Sequence, residues 1–238
     1  MTAAEPRRLR LPLTQPQAVD DTTALLWPPG GVDGERLGLV LGPSAGTRIT
    51  HPALGRVAAG LAARGYPVVG LDFAYAEAGR RLPDPPARLE AAFRDAVGFA
   101  HRHLGRRRLV LGGRSMGGRI ASQLAAGGEP CVGLAMLGYP LHPAGRPERL
   151  RTAHWPKLEV PVLFVQGDRD ALCDLDLLGH ERVRLGRGDS RVHVLAGADH
   201  GFRPRGGHGS PAREAGRDML AEVVDAVAGW LDGLPEGP

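Results

Sequence analysis

Short apolar runs alternate along the chain with longer stretches in which apolar residues recur every three or four positions. That alternation is the signature of strands followed by amphipathic helices. The runs predict strands over 8–13, 23–27, 37–42, 67–72, 108–112, 132–138, 161–166 and 191–196. Leu89, Ala92, Phe93, Ala96, Val97, Ala100 and Leu104 form one helical stripe, and Met219, Leu220, Val223, Val224, Val227, Trp230 and Leu231 form another. Both read as core-facing helix sides. A further helix is expected to start near Met116, directly after the fifth strand. Strands alternating with helices predict an α/β fold: a mostly parallel sheet of about eight strands with helices on both faces, and room for two antiparallel strands at the start. No repeat or linker interrupts the pattern, so 1–238 reads as one domain with a full core.

Composition narrows the function classes. The formal charge of +4 allows nucleic-acid binding in principle, but aromatics make up only 5% and the basic residues do not gather on one helix face. Lys157 is the only lysine, so a coding preference for arginine accounts for the charge and no nucleic-acid partner is expected. The opening MTAAEPRRLRLPL lacks the apolar stretch of a signal peptide, and no apolar run approaches the roughly 20 residues that span a bilayer. The expectation is a cytoplasmic protein with no membrane partner. Cys131 and Cys173 lack metal or redox spacing. His101 and His103 fall on different sides of a helix, while His51, His142, His154, His180, His193 and His208 are scattered. No metal and no cofactor are expected.

The chemistry concentrates where the strand 108–112 runs through Gly113-Arg114-Ser115-Met116-Gly117 into a helix. A Gly-x-Ser-x-Gly turn between strand and helix holds the serine in a strained conformation, with its hydroxyl lifted above the sheet edge. Without that context, the same residues would be a glycine-rich connection with a serine cap.

In an open α/β sheet, functional groups gather beyond the carboxyl ends of the strands. Two later strand ends carry suitable partners: Gly167-Asp168-Arg169-Asp170 and Gly197-Ala198-Asp199-His200-Gly201-Phe202. The order nucleophile, acid, histidine follows the α/β-hydrolase pattern. A serine hydroxyl needs an adjacent base, which His200 supplies, and a carboxylate to orient the imidazole. Asp168 and Asp170 compete for that last role; Asp170, further past the strand end, is favoured. Oxyanion donors are expected from the backbone of Met116 and from the loop Gly42-Pro43-Ser44-Ala45-Gly46, with Ala45 the first choice and the Ser44 hydroxyl a possible addition. Pro43 has no N–H to offer. The loop lacks the Gly-Lys-Ser/Thr ending of a phosphate-binding P-loop.

GGRSMGGRIAS, the block from GYPLHPAGRPERLRTAHWPKLEVPVLFVQGDRD, and GADHGF resemble the small α/β-hydrolase domain of the testis-expressed protein 30 and NSL-complex-subunit type, with its dienelactone-hydrolase-like bacterial relatives. The similarity spans roughly residues 37–231. It implies Ser115 as nucleophile, Asp170 as acid and His200 as base. Two departures stand out. The resemblance implies a His-Gly-Ala-Gly oxyanion loop where this chain has Pro43-Ser44-Ala45-Gly46, and Pro-Phe-Gly after Arg-Asp where it has Ala171-Leu172-Cys173. Dienelactone hydrolases use a cysteine nucleophile, so the serine argues against that reaction.

The connection over 139–159 is the only lid candidate and is too short for a cap domain. Tyr139, Leu141, His142 and Trp155 stand there as pocket-lining or packing residues. Arg114 is expected to pair with a carboxylate that supports the turn, or with Arg119 to attract an acidic acyl group. The expected function is a serine hydrolase acting on small esters or thioesters. The alternative is a binding or scaffold protein that kept the fold and lost efficient catalysis; peptidase and acyltransferase activities stay open, as does the oligomeric state.

Overall fold

The structure is a computed structural model, described here for residues 5–15, 17–30, 36–105, 108–186, 189–204 and 217–235. His208 and the first four residues of the N-terminal stretch lie outside these. Eight strands form one sheet: β1 Arg7–Pro12, β2 Asp21–Trp27, β3 Gly38–Gly42, β4 Val68–Leu71, β5 Leu109–Arg114, β6 Gly133–Leu137, β7 Val162–Gly167 and β8 Ser190–Leu195. Their order is β1-β2-β4-β3-β5-β6-β7-β8. The β1–β2 and β2–β4 pairs are antiparallel, and every pair from β4 to β8 is parallel. The predicted strands therefore all form, with ends shifted by one or two residues.

Alternation along each strand sends side chains to two separate cores. On one face Val40, Leu111, Met136 and Phe164 pack beneath α3 Pro86–Leu104 and α4 Met116–Ala126. On the other, Leu39, Leu41, Val110, Leu163 and Val165 pack against α1 Pro52–Ala63 and α6 Met219–Asp232. The short helices α2 Ala74–Glu77 and α5 Leu175–Glu181 flank the carboxyl ends of β4 and β7. Both predicted helical stripes are buried as core faces, through Leu89, Phe93, Ala96 and Ala100 on α3 and Val223, Val227, Trp230 and Leu231 on α6.

The segment 139–159 is held down rather than raised over the sheet. Tyr139, Leu141 and Trp155 are fully buried, and the rings of Tyr139, Trp155 and Phe164 meet tilted or edge to face with centroids 5.3–6.0 Å apart. Trp155 Nε1 donates to the Tyr139 hydroxyl at 3.3 Å, and that hydroxyl donates to the Arg151 carbonyl at 2.7 Å. These residues pack instead of lining a pocket, because two polar-tipped aromatics find their hydrogen-bond partners in each other and in the backbone. Among the described residues no helix is long and apolar enough to cross a membrane.

Candidate active site

Parallel pairing brings the carboxyl ends of β3, β5, β7 and β8 to one edge of the sheet, and each delivers one part of the site. At the end of β5 the chain turns through Ser115 at φ 53°, ψ −113°, a left-handed conformation rare for a residue with a side chain. The turn works only because glycines surround it. A Cβ on Gly113 or Gly117 would collide with the Gly42 carbonyl at the end of β3, so β3 and the start of α4 approach closer than any side chain permits. Ser115 N–H donates to the Leu137 carbonyl at 2.9 Å, tying the turn to β6.

The Ser115 hydroxyl does not cap α4. Its Oγ lies instead 2.9 Å from His200 Nε2, and His200 Nδ1 lies 2.7 Å from Asp170 Oδ2. The network fixes the tautomer: with the carboxylate accepting from Nδ1–H, Nε2 is left to accept from the serine hydroxyl. Of the three side chains along these contacts the middle one is the most open. The Asp170 side chain is 0% exposed and that of His200 26%, while Ser115 as a residue is 8% exposed. The carboxylate is thus dry and the imidazole edge reachable.

Asp170 accepts three hydrogen bonds. Besides His200, Gln166 Nε2 donates to Oδ2 at 2.6 Å and Leu172 N–H donates to Oδ1 at 2.8 Å. Gln166 is itself fully buried and takes the Tyr139 N–H on Oε1 at 2.9 Å. Gln166 is not legible as a site residue in the sequence, since the last residue of an apolar run carries no signal of its own. The Ala171-Leu172-Cys173 loop, where the sequence departs from the expected Pro-Phe-Gly, supplies an N–H to Asp170. Asp168 faces elsewhere: its Oδ1 accepts from Gly197 N–H at 2.6 Å and braces the turn after β8. The histidine loop is similarly braced, with Asp199 Oδ1 accepting from Gly201 N–H at 2.7 Å and Arg203 N–H at 3.0 Å.

The loop after β3 offers few free donors. Gly46 N–H donates to the Tyr75 hydroxyl at 3.0 Å, and Thr47 N–H donates to the Ser44 carbonyl at 3.2 Å. Among the described residues nothing accepts from Ala45 N–H. Met116, first residue of α4, presents its N–H ahead of the intrahelical ladder. The Ser44 hydroxyl accepts from Arg114 Nη1 at 2.7 Å, and its own proton faces the Arg114 carbonyl at 3.5 Å. Arg114 also departs from expectation. Among the described residues it pairs with no carboxylate; its other nitrogen donates to the His200 carbonyl at 3.0 Å. The charge of Arg119 lowers the pKa of His154 and Arg151, after the larger effect of burial on each.

The model of the alpha/beta hydrolase domain matches residues 35–232. The chain belongs to the alpha/beta hydrolase domain family. This alpha/beta hydrolase is similar in fold to an alpha-beta serine hydrolase homologue from Coxiella burnetii, with 18% identity and a TM-score of 0.72 over 97% of this chain and 99% of that one. It also resembles an a/b serine hydrolase without lid from Xanthomonas campestris, at 19% identity and TM-score 0.70 over 99% and 98% of the two chains. A dienelactone hydrolase from Anabaena variabilis aligns at 19% identity and TM-score 0.70, covering 97% of this chain and 99% of the other. At such identities the likeness concerns the fold alone. Among the described residues no group of three or more His, Cys, Asp or Glu side chains is arranged to hold a metal ion.

Proposed function

We propose that this alpha/beta hydrolase is a serine hydrolase that cleaves small carboxylic esters or thioesters through an acyl-enzyme on Ser115. The observation that carries the reading is the continuous contact from Ser115 Oγ to His200 Nε2 at 2.9 Å and from His200 Nδ1 to Asp170 Oδ2 at 2.7 Å. A serine whose hydroxyl merely capped α4 would have no reason to sit at φ 53°.

In the proposed reaction His200 Nε2 takes the hydroxyl proton as Ser115 Oγ attacks the acyl carbon. Asp170 stabilises the resulting imidazolium. The N–H groups of Met116 and Ala45 donate to the acyl oxygen and stabilise its negative charge. The tetrahedral species then collapses, the bond to the leaving oxygen or sulfur breaks, and His200 returns the proton to that atom. Water repeats the sequence with His200 again as base, releasing the acid and restoring Ser115. Among the described residues no lid closes over the edge, which suits small substrates in open contact with water.

The sequence block 138–170 supports placing the chain with the testis-expressed protein 30 and NSL-complex-subunit type and its bacterial relatives. The reading is tested by initial rates with short-chain p-nitrophenyl esters and acyl thioesters, comparing wild type with Ser115→Ala and His200→Ala. Turnover that disappears in both variants supports it. Hydrolysis that survives in Ser115→Ala overturns it, and a folded wild type without turnover favours the scaffold reading.

A further inference from the structure

Arg114, immediately before the serine, carries a half-buried guanidinium that ties together three separate pieces of chain. Nη1 donates to Ser44 Oγ at 2.7 Å, across 70 residues, and Nη2 donates to the His200 carbonyl at 3.0 Å, across 86. The group also lies 5.9 Å from the centroid of the Phe202 ring. Its Nε is buried without an acceptor among the described residues. Burial lowers the guanidinium pKa from its ordinary value, Asp199 and Asp170 oppose the shift at longer range, and Arg203 adds to it. A charge withdrawn from water with no carboxylate in ion-pair contact is expensive to keep. An apolar side chain would fill the same space at lower cost, so packing alone does not explain the residue.

We propose that Arg114 is a positioning residue that sets the oxyanion loop and the base loop against Ser115 as one unit. The inference rests on the hydrolase reading above. Ser44 directly precedes Ala45, the proposed second oxyanion donor, and the His200 carbonyl belongs to the residue that must reach Ser115. Displacement of either by about 1 Å is enough to cost on the order of a hundred-fold in rate. The guanidinium suits the task because its planar fork serves two acceptors in fixed geometry, which a lysine ammonium does not reproduce. The same contact explains why a serine stands where the sequence resemblance implies a glycine. The Ser44 hydroxyl is the acceptor for Arg114, and through that contact it anchors the loop.

The test combines Arg114→Met, Arg114→Lys, Ser44→Ala and the double variant Ser44→Ala/Arg114→Met, each read in two ways. The first readout is amide hydrogen exchange over 43–47 and 199–203, which follows the tether whether or not the protein turns over substrate. The second is steady-state ester hydrolysis. Arg114→Met is expected to loosen both loops together and to lower kcat by about ten- to hundred-fold with KM nearly unchanged. Arg114→Lys should recover part of the loss. Ser44→Ala should loosen chiefly 43–47, and the double variant should be no slower than Arg114→Met alone. Unchanged exchange in both loops, or kcat losses that multiply in the double variant, would overturn the proposal. Failure of the hydrolase reading has a different signature: no turnover in the wild type while the two loops still loosen together in Arg114→Met.

Discussion

The buried Gln166 amide donates to Asp170 Oδ2 across 2.6 Å, on the same oxygen that faces His200 Nδ1. The carboxylate is thereby held from the strand side as well as from the histidine side. Replacing Gln166 with Leu removes this bond to a charged group and strands the Tyr139 N–H. The expected result is about 1–3 kcal/mol lower stability and about ten-fold or greater loss of kcat. Gln166→Glu places a second carboxyl against Asp170. Like charges resist joint ionisation, so the acid limb of the pH–rate profile should move to higher pH. An unchanged profile in the folded variant would show that Gln166 does not act on the acid.

Asp168 and Asp170 differ by two positions and by everything they touch. Asp170→Asn is expected to lower turnover by roughly ten-thousand-fold while leaving the protein folded. Asp168→Asn weakens the Gly197 contact and is expected to cost about 1 kcal/mol of stability, with turnover within a few-fold of wild type. Parallel measurement of kcat and thermal melting separates the two, and the reverse pattern would reassign the acid.

Ser115 at φ 53° carries backbone strain of about 1–3 kcal/mol. Glycine relieves it and alanine does not. Both variants lose the proposed nucleophile, but Ser115→Gly should melt above Ser115→Ala. Equal melting temperatures would mean that the turn is not strained.

His154 tests a part of the fold remote from this chemistry. Ser122 Oγ donates to the Arg119 carbonyl at 2.8 Å and lies 2.8 Å from His154 Nε2, so the imidazole donates to the hydroxyl. Burial first, and then the Arg119 charge, push its pKa from 6.5 down to about 4. Between those values the unfolded chain binds a proton that the folded one refuses. Stability from this site is complete above about pH 6.5 and declines as the pH falls toward 4. His154→Gln should lose less melting temperature than wild type between pH 7 and 4.5, and an NMR titration should find the His154 ring neutral at pH 5.5. An imidazolium at that pH would contradict the assignment.

Much of this architecture can be read from periodicity. Strands such as 161–166 are continuous apolar runs because helices cover both faces, and α3 and α6 announce themselves through their stripes. The helix α1 gives no such signal, since PALGRVAAGLAA is small and apolar on most sides. Strand ends single out Ser115, Asp170 and His200 as candidates because each follows an apolar run in the chain. What joins them is not local. The contacts from Arg114 to Ser44 and His200, and from Gln166 to Asp170, depend on how strands far apart in sequence are ordered in the sheet. Tyr139 and Trp155 show the opposite limit: polar-tipped aromatics on a connection resemble a pocket lining until their mutual hydrogen bonds place them in the core.

The central claim, an activated Ser115, is most directly tested by labelling with a fluorophosphonate probe and mapping the modified peptide by mass spectrometry. One equivalent on Ser115 in the wild type is expected, with none in Ser115→Ala and a strongly slowed reaction in His200→Ala. Folded wild-type protein that remains unlabelled, or carries the label on another residue, would contradict the claim.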